Sequence, residues 1–122
     1  MNEAEERYFL AGRALQKAEE AARSDVRPGN RNDFQKAVID LDAAIPGLEG
    51  LSLARAKLLK AHALWWMYFL GLKGKFYDPT QPEDPLLAES HALAVEARKL
   101  LKRCKAPAED VKFADGLVAK TE

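Results

Sequence analysis

The 122-residue sequence has one cysteine, Cys104, and two histidines, His62 and His91. A single cysteine cannot form an internal disulfide, which favours a reducing compartment. Two histidines and one cysteine cannot complete a tetrahedral zinc site by themselves, and no carboxylate stands at ligand spacing beside them. The sequence therefore predicts neither a metal site nor a cofactor.

An excess of charge of either sign is also lacking, because 19 basic residues balance 19 acidic ones. This balance argues against a nucleic-acid-binding module, whose affinity depends on excess lysine and arginine. The longest apolar run, from Ala61 to Leu72, is shorter than the roughly 20 residues of a membrane-spanning helix. The first residues lack the order of a signal peptide. We therefore expect a cytoplasmic protein, although a mature exported chain without its leader would look the same.

Signatures of catalysis are scarce, and no glycine-rich phosphate-binding loop occurs. Adjacent carboxylates, Glu19 with Glu20 and Glu109 with Asp110, diverge on a helix and do not form a catalytic pair. Cys104 has no base near it in the sequence and continues an apolar stripe, which predicts a core position. The chain is therefore expected not to be an enzyme.

Each of the two histidines can be explained by packing in the fold rather than by catalysis. His62 precedes Trp65 by three residues and Trp66 by four. Such a histidine could act as an acid or base beside an aromatic pocket. More often it packs against the ring and bonds to a backbone or carboxylate partner. His91 lies beside an apolar stripe and is predicted at the boundary of the core.

Period-two alternation, which is typical of strands, is absent, whereas helical periodicity recurs along the chain. The sequence therefore predicts an all-α fold. The first helix is expected from about Glu3 to Ser24, with a stripe rich in alanine that lets a partner helix approach closely. Pro28 and Gly29 interrupt the pattern after it. The stripe consists of Ala4, Tyr8, Ala11, Leu15, Ala18 and Ala22.

A second helix is predicted to begin at an N-cap of Asn32 or Asp33 and to end at Pro46 and Gly47. The first two helices should form an antiparallel hairpin over residues 3–46. The stripe of the second helix consists of Phe34, Ala37, Val38, Leu41, Ala44 and Ile45.

The stretch from Leu51 to Leu72 predicts a central third helix, capped by Gly50 or Ser52. Its first half is amphipathic, and its second half is apolar on nearly every side, so several neighbours must cover it. Residues 65–69 are all bulky, and a small domain would struggle to bury all of them. We therefore expect part of this surface to be an interface or a ligand groove.

Residues 76–85 contain three prolines and predict a loop, which Phe76 and Tyr77 should anchor on the core. A fourth helix follows and completes a second hairpin over residues 51–104. A short fifth helix, at about 107–120, is expected to cap the open side of the bundle.

The first two helices carry a spaced pattern of small and aromatic residues, which resembles that of tetratricopeptide-repeat proteins. Their first helix has an aromatic residue, leucine, glycine and tyrosine at the spacing that is filled here by Tyr8, Ala11, Gly12 and Leu15. The positions matched in the second helix are Phe34, Ala37, Leu41 and Ala44. The family repeat is about 34 residues long. The resemblance implies a right-handed array or bundle of two helical hairpins with a terminal helix, in one domain over 1–122.

The resemblance also implies a scaffold that binds an extended peptide or a partner helix in a groove. The groove would be lined by the first helix of each hairpin. Arg13 and Lys17 could hold a carboxylate there, or could belong to a solvated polar face. The positions of the first helix that would face the groove are Glu6, Phe9, Arg13, Gln16 and Lys17. The third helix would contribute Arg55, His62 and an aromatic residue among Trp65, Trp66 and Tyr68.

The leading hypothesis is a non-catalytic protein-interaction module that self-associates or docks on a larger assembly. The alternative is a small-molecule-binding helical bundle with a pocket between helices 1 and 3. That pocket would be lined by Phe9, His62, Trp65 and Trp66. A third hypothesis, an enzyme that uses His62 or Cys104, has the least support.

Overall fold

The computed structural model describes residues 2–25, 30–74 and 85–122, with residues 71–74 described by their backbone alone. Five α-helices are present, and the described residues contain no strand, which confirms the all-α prediction. A short 3-10 turn, Ile45–Gly47, follows the second helix. The helices are α1 Glu3–Ser24, α2 Arg31–Ala44, α3 Gly50–Gly74, α4 Pro85–Arg103 and α5 Ala108–Thr121. The loop anchors Phe76 and Tyr77 and the turn residues Pro28 and Gly29 lie outside the described residues.

Helices α1 and α2 differ in how their N-termini are capped. The Asn2 side chain accepts a hydrogen bond from the backbone N–H of Glu5 at 2.8 Å, and acidic residues occupy the first turn of α1. The predicted cap of α2 at Asn32 or Asp33 is wrong, because the helix already begins at Arg31. Asn30 precedes it, and its side-chain amide donates to the backbone oxygen of Asp25 at 2.7 Å.

Consecutive helices pack against each other, and α3 also contacts α1 and α5. Consecutive helices run antiparallel. Between α3 and α4, Lys57 pairs with Glu96 and Lys60 pairs with Glu89. The residue numbers therefore increase along α3 as they decrease along α4, which shows that the two helices are antiparallel. The result is an inner layer made of α1, α3 and α5 and an outer layer made of α2 and α4.

Three clusters of buried residues form the core. The first joins the C-terminal half of α1, the start of α2 and the second half of α3, where Phe34 stacks on Trp66 at a centroid distance of 5.4 Å. The second joins α3 to α4 and α5 through residues such as Leu58 and Leu101. The third joins the start of α1, the end of α2 and the start of α3 around Leu41. Helix α3 thus contributes to all three clusters, as its apolar circumference predicts.

Small residues set the close spacing of the helices, as the alanine stripe of α1 predicts. Ala11, Ala37 and Ala56 are fully buried at the contacts between α1, α2 and α3. A Cβ atom placed on Gly47 would lie 2.7 Å from the Cβ atom of Ala4. The turn after α2 can therefore approach α1 this closely only because residue 47 is glycine.

Lys60 links the two helices of the outer layer through α3. Its Nζ atom lies 2.7 Å from Asp42 Oδ1 of α2 and 3.3 Å from Glu89 Oε1 of α4. Burial opposes the charged form, but the hydrogen bonds and charges of Asp42 and Glu89 prevail and raise the pKa of Lys60 above its ordinary value. The aliphatic stem of the side chain is covered in the same place, since only 15% of the side chain is exposed.

We expect Lys60→Ala to lower the free energy of unfolding by about 1–2 kcal/mol, because it removes the shared cation and the packed stem together. Urea denaturation at pH 7 would measure this change. The matched control is Lys36→Ala, which alters an exposed lysine of α2 and should change stability by less than about 0.5 kcal/mol. Equal effects of the two substitutions would show that Lys60 does not connect α2 and α4.

The predicted core position of Cys104 is wrong, because its side chain is exposed. Helix α4 ends at Arg103, and the following turn brings Lys105 to a positive φ of 52°. The apolar stripe therefore stops at Leu101, and Cys104 no longer follows the helical period that predicted its burial.

Candidate functional site

The inner layer of the fold forms a groove. Helices α1 and α5 each pack against α3, but among the described residues they do not pack against each other. The surface of α3 between them is therefore the floor, and we call this surface with its two flanking helices the inner groove. Three sets of contacts cross it, and they centre on Arg55, on His62 and on the pair Trp65 and Trp66.

The first contact set lies near the start of α3. Arg55 donates to Asp110 Oδ2 of α5 at 2.9 Å, and its side chain is 38% exposed. Tyr8 of α1 lies within electrostatic range of both groups. Burial raises the pKa of Tyr8, the positive charge of Arg55 opposes the rise, and Asp110 adds to it. A cation of α3, an acid of α5 and a phenol of α1 are thus gathered at one end of the groove.

The second contact set is a buried hydrogen-bond cluster around Glu19 of α1. His62 Nε2 lies 2.8 Å from Glu19 Oε1, and Trp66 donates its indole N–H to the same oxygen at 3.2 Å. Arg23, on the next turn of α1, also donates to this oxygen at 3.1 Å. The His62 side chain is only 8% exposed, whereas that of Arg23 is 70% exposed. One carboxylate oxygen therefore fastens α1 to α3.

The protonation states in this cluster follow from the contacts. Burial opposes ionisation of Glu19, but the hydrogen bond and charge of His62, the hydrogen bond of Trp66 and the charge of Arg23 prevail and lower its pKa. Glu19 is therefore an ionised acceptor. Burial also lowers the pKa of His62, and it outweighs the opposing effect of Glu19. Neutral His62 must then carry its proton on Nε2, where the carboxylate accepts it.

Phe113 of α5 covers His62 from the opposite side of the groove. The two rings meet edge to face at a centroid distance of 5.1 Å. The Phe113 side chain remains 44% exposed, so it covers the histidine while presenting apolar surface to solvent. His62 is thus enclosed between a carboxylate of α1 and an aromatic ring of α5.

The third contact set is an aromatic group on the second half of α3. Trp65 stacks on Phe69 at 5.3 Å and meets Trp66 edge to face at 5.5 Å. Lys120 of α5 places its ammonium 3.7 Å from the centroid of the Trp65 ring, within the range of a cation–π contact. Burial lowers the pKa of Lys120, Glu19 opposes this effect, and Arg23 adds to it.

The predicted binding residues of α1 are exposed. Arg13 lies over the ring of Phe9 at 5.9 Å, and Phe9 is 54% exposed. Ala11 is buried and Gly12 faces Leu59 of α3, so Arg13 lies one helical step further round, on the rim of the groove. Tyr8 faces α3, and Phe9, which follows it in the helix, therefore also lies further round, on the rim. Gln16 and Lys17 are exposed, as is Glu6.

The predicted binding residues of α3 are placed differently from one another. His62 and Trp66 are buried and share Glu19, whereas Trp65 and Tyr68 are half-buried. Arg55 is half-exposed at the Asp110 contact. The structure therefore joins Arg55, His62, Trp65 and Trp66 along one floor. The rim residues Phe9 and Arg13 contact each other.

Two central residues of the groove, Glu19 and Phe113, were not predicted as site residues. Glu19 lies on the same flank of α1 as Tyr8 and Gly12, directly beside the apolar stripe. A carboxylate on that flank, together with a histidine within an apolar helix, is a usable signal for a buried pair. Phe113 precedes the buried Ala114 on a short helix, and no sequence signal distinguishes its partial exposure from burial.

His91 lies at the boundary of the core, as predicted: its side chain is half-buried, and its Nδ1 atom is 3.0 Å from the hydroxyl of Thr121. Over the described part of the chain, no three histidine, cysteine, aspartate or glutamate side chains are grouped as they would be around a metal ion. None of the helices, over the residues described, has the length and hydropathy needed to cross a bilayer.

Comparisons with known proteins give no further constraint. No protein-family model matches the chain. No curated protein and no solved structure matches it either. Functional interpretation therefore depends on the groove itself.

Proposed function

We propose that this chain is a non-catalytic protein-interaction module of tetratricopeptide-like type, and that its partner lies along the inner groove. The partner is a peptide segment or helix of another protein, or a second copy of the chain. The antiparallel hairpins and the two-layer arrangement of α1, α3 and α5 against α2 and α4 support this proposal.

The supporting observation is the exposure of aromatic residues on both rims of the groove. Phe9 on α1 and Phe113 on α5 are 54% and 44% exposed. Large aromatic side chains supply much of the binding energy at protein interfaces when a partner buries them. The polar contacts of Glu19 and Arg55 hold the helices that present these rings.

The enclosure of His62 supports the non-catalytic part of this proposal. His62 faces a carboxylate, but the ring lies beneath Phe113 and is nearly closed to solvent. A substrate would reach it only if this cover moved. Cys104 is exposed on the turn between α4 and α5.

Removing both rim aromatics should weaken partner binding. We expect the double variant Phe9→Ala/Phe113→Ala to capture its partner proteins at least tenfold less well, because loss of an interface aromatic typically costs about 1–2 kcal/mol or more. Quantitative mass spectrometry of proteins captured from a lysate of the source cells would measure the change. Affinity for the identified partner would then be determined with the purified proteins.

The matched control is Ile39→Ala, which removes an apolar side chain that is 59% exposed on α2, in the outer layer. This control should capture the same proteins as the unaltered chain. Light scattering would show whether a second copy is the partner. A strictly monomeric protein whose captured proteins do not depend on Phe9 and Phe113 would argue against the proposal.

A further inference from the structure

His62 has an unsatisfied polar atom in the floor of the groove. Its Nε2 atom bonds to Glu19, but its Nδ1 atom is buried and has no hydrogen-bond partner among the described residues. The residue as a whole is 7% exposed. Because Nε2 carries the proton of the neutral ring, Nδ1 presents a bare lone pair to its surroundings.

Protonation of His62 would turn this acceptor into a donor. An imidazolium carries N–H groups on both nitrogens, and no residue of the described ranges would accept the second, buried N–H. A buried donor that also shares a positive charge is less well tolerated than a buried lone pair. The enclosed arrangement is therefore specific to the neutral ring, and the charged ring requires access to water.

The charges that bear on His62 come from two helices. Glu19 of α1 favours its protonation, whereas Arg23 of α1 and Lys120 of α5 disfavour it. Burial has the largest effect, and the net result is a pKa of His62 below the ordinary value of 6.5. Proton uptake is therefore coupled to exposure of the ring, because exposure removes the effect that most disfavours the charge.

Phe113 is the part of the enclosure that can move at the least cost. Glu19 accepts hydrogen bonds from three side chains, and Trp66 is packed against Phe34 in the core. Phe113 contacts His62 through the edge-to-face ring contact and is already 44% exposed. Rotation of this side chain would admit water to the imidazole without breaking a hydrogen bond of the cluster.

We propose that Phe113 is a proton-sensitive cover of the inner groove: protonation of His62 displaces the Phe113 ring and opens the groove floor beside α5. At neutral pH the ring covers the histidine, and in mild acid it swings away. Its consequence for partner binding rests on the proposed function, because Phe113 is one of the two rim aromatics. The displacement itself is a property of the isolated chain.

The test uses nuclear magnetic resonance of the isolated full chain between pH 7.5 and pH 4.5. The side-chain nitrogen signals of His62 report its protonation and tautomer, and fluorine placed on the ring of Phe113 reports the environment of that ring. We expect the Nε2–H tautomer at pH 7.5, a His62 midpoint below 6.5, and a change of the fluorine signal with the same midpoint.

The chain offers a matched pair of variants, because it has only two histidines. In His62→Gln the fluorine signal should stay constant over this pH range, whereas in His91→Gln it should shift as in the unaltered chain. A fluorine signal that does not follow His62, or that still shifts in His62→Gln, would overturn the proposal. A proton on Nδ1 at pH 7.5 would do so without any variant. The titration does not measure partner capture, so it can refute the movement of Phe113 without refuting the proposed function.

Discussion

Replacing Trp66 with alanine is expected to lower the free energy of unfolding by about 3–5 kcal/mol, the typical cost of removing a buried tryptophan. The side chain is 7% exposed and stacks on Phe34 with an interplanar angle of 8°. It also meets Phe69 edge to face at 5.7 Å and donates to Glu19. The substitution therefore opens a cavity between α1, α2 and α3 and removes one contact of the polar cluster.

Urea denaturation followed by circular dichroism would measure this loss. Trp66→Phe keeps an aromatic ring in the core and removes the indole donor, so about 1–2 kcal/mol should be lost. Trp65→Ala should also cost less than Trp66→Ala, because Trp65 is half-buried and the exposed Lys120 lies over its ring. If Trp65→Ala were the more damaging of the two, the assignment of Trp66 to the core would be wrong.

The second large effect is expected for Glu19→Ala, at about 2–3 kcal/mol of unfolding free energy. The substitution leaves the Nε2–H of His62 and the indole N–H of Trp66 without their acceptor. Unsatisfied buried donors cost more than the hydrogen bonds themselves contribute. The neighbouring Glu20→Ala, on an exposed side chain, is the control and should change stability by less than about 0.5 kcal/mol.

The pH dependence of the Glu19 effect has a defined sign. The pKa of Glu19 is lower in the folded protein than its ordinary value of 4.5, so ionised Glu19 stabilises the fold above that pH. This contribution is lost as the pH falls through the folded pKa. The stability difference between the unaltered chain and Glu19→Ala should therefore be full at pH 7 and shrink below pH 4.5. A difference that stays constant down to pH 3 would contradict the ionised state of Glu19.

The positions of the helices could be predicted from the sequence because one physical signal decides them. An alanine-rich stripe at helical spacing predicted α1 from Glu3 to Ser24, and the structure has these same bounds. The central position of α3 followed from its apolar circumference, since such a helix is stable in water only when neighbours cover it.

Features that depend on tertiary contacts were harder to predict. The end of α4 at Arg103 is set by a turn with Lys105 at positive φ, which the apolar period before Cys104 does not reveal. In the sequence, Glu19 stands beside Glu20, from which it diverges on the helix. Its actual partner, His62, lies 43 residues away in the sequence, and local spacing carries no information about such a contact.

The placement of α3 has a consequence for how the chain unfolds. Its residues belong to all three core clusters, so loss of α1 and α2, or of α4 and α5, would uncover one side of a helix that is apolar over much of its circumference. In long helical arrays, neighbouring repeats can melt one after another because each contacts only the next. Here α1 and α2 on one side and α4 and α5 on the other pack on the same helix, so we expect the five helices to unfold as a single cooperative unit.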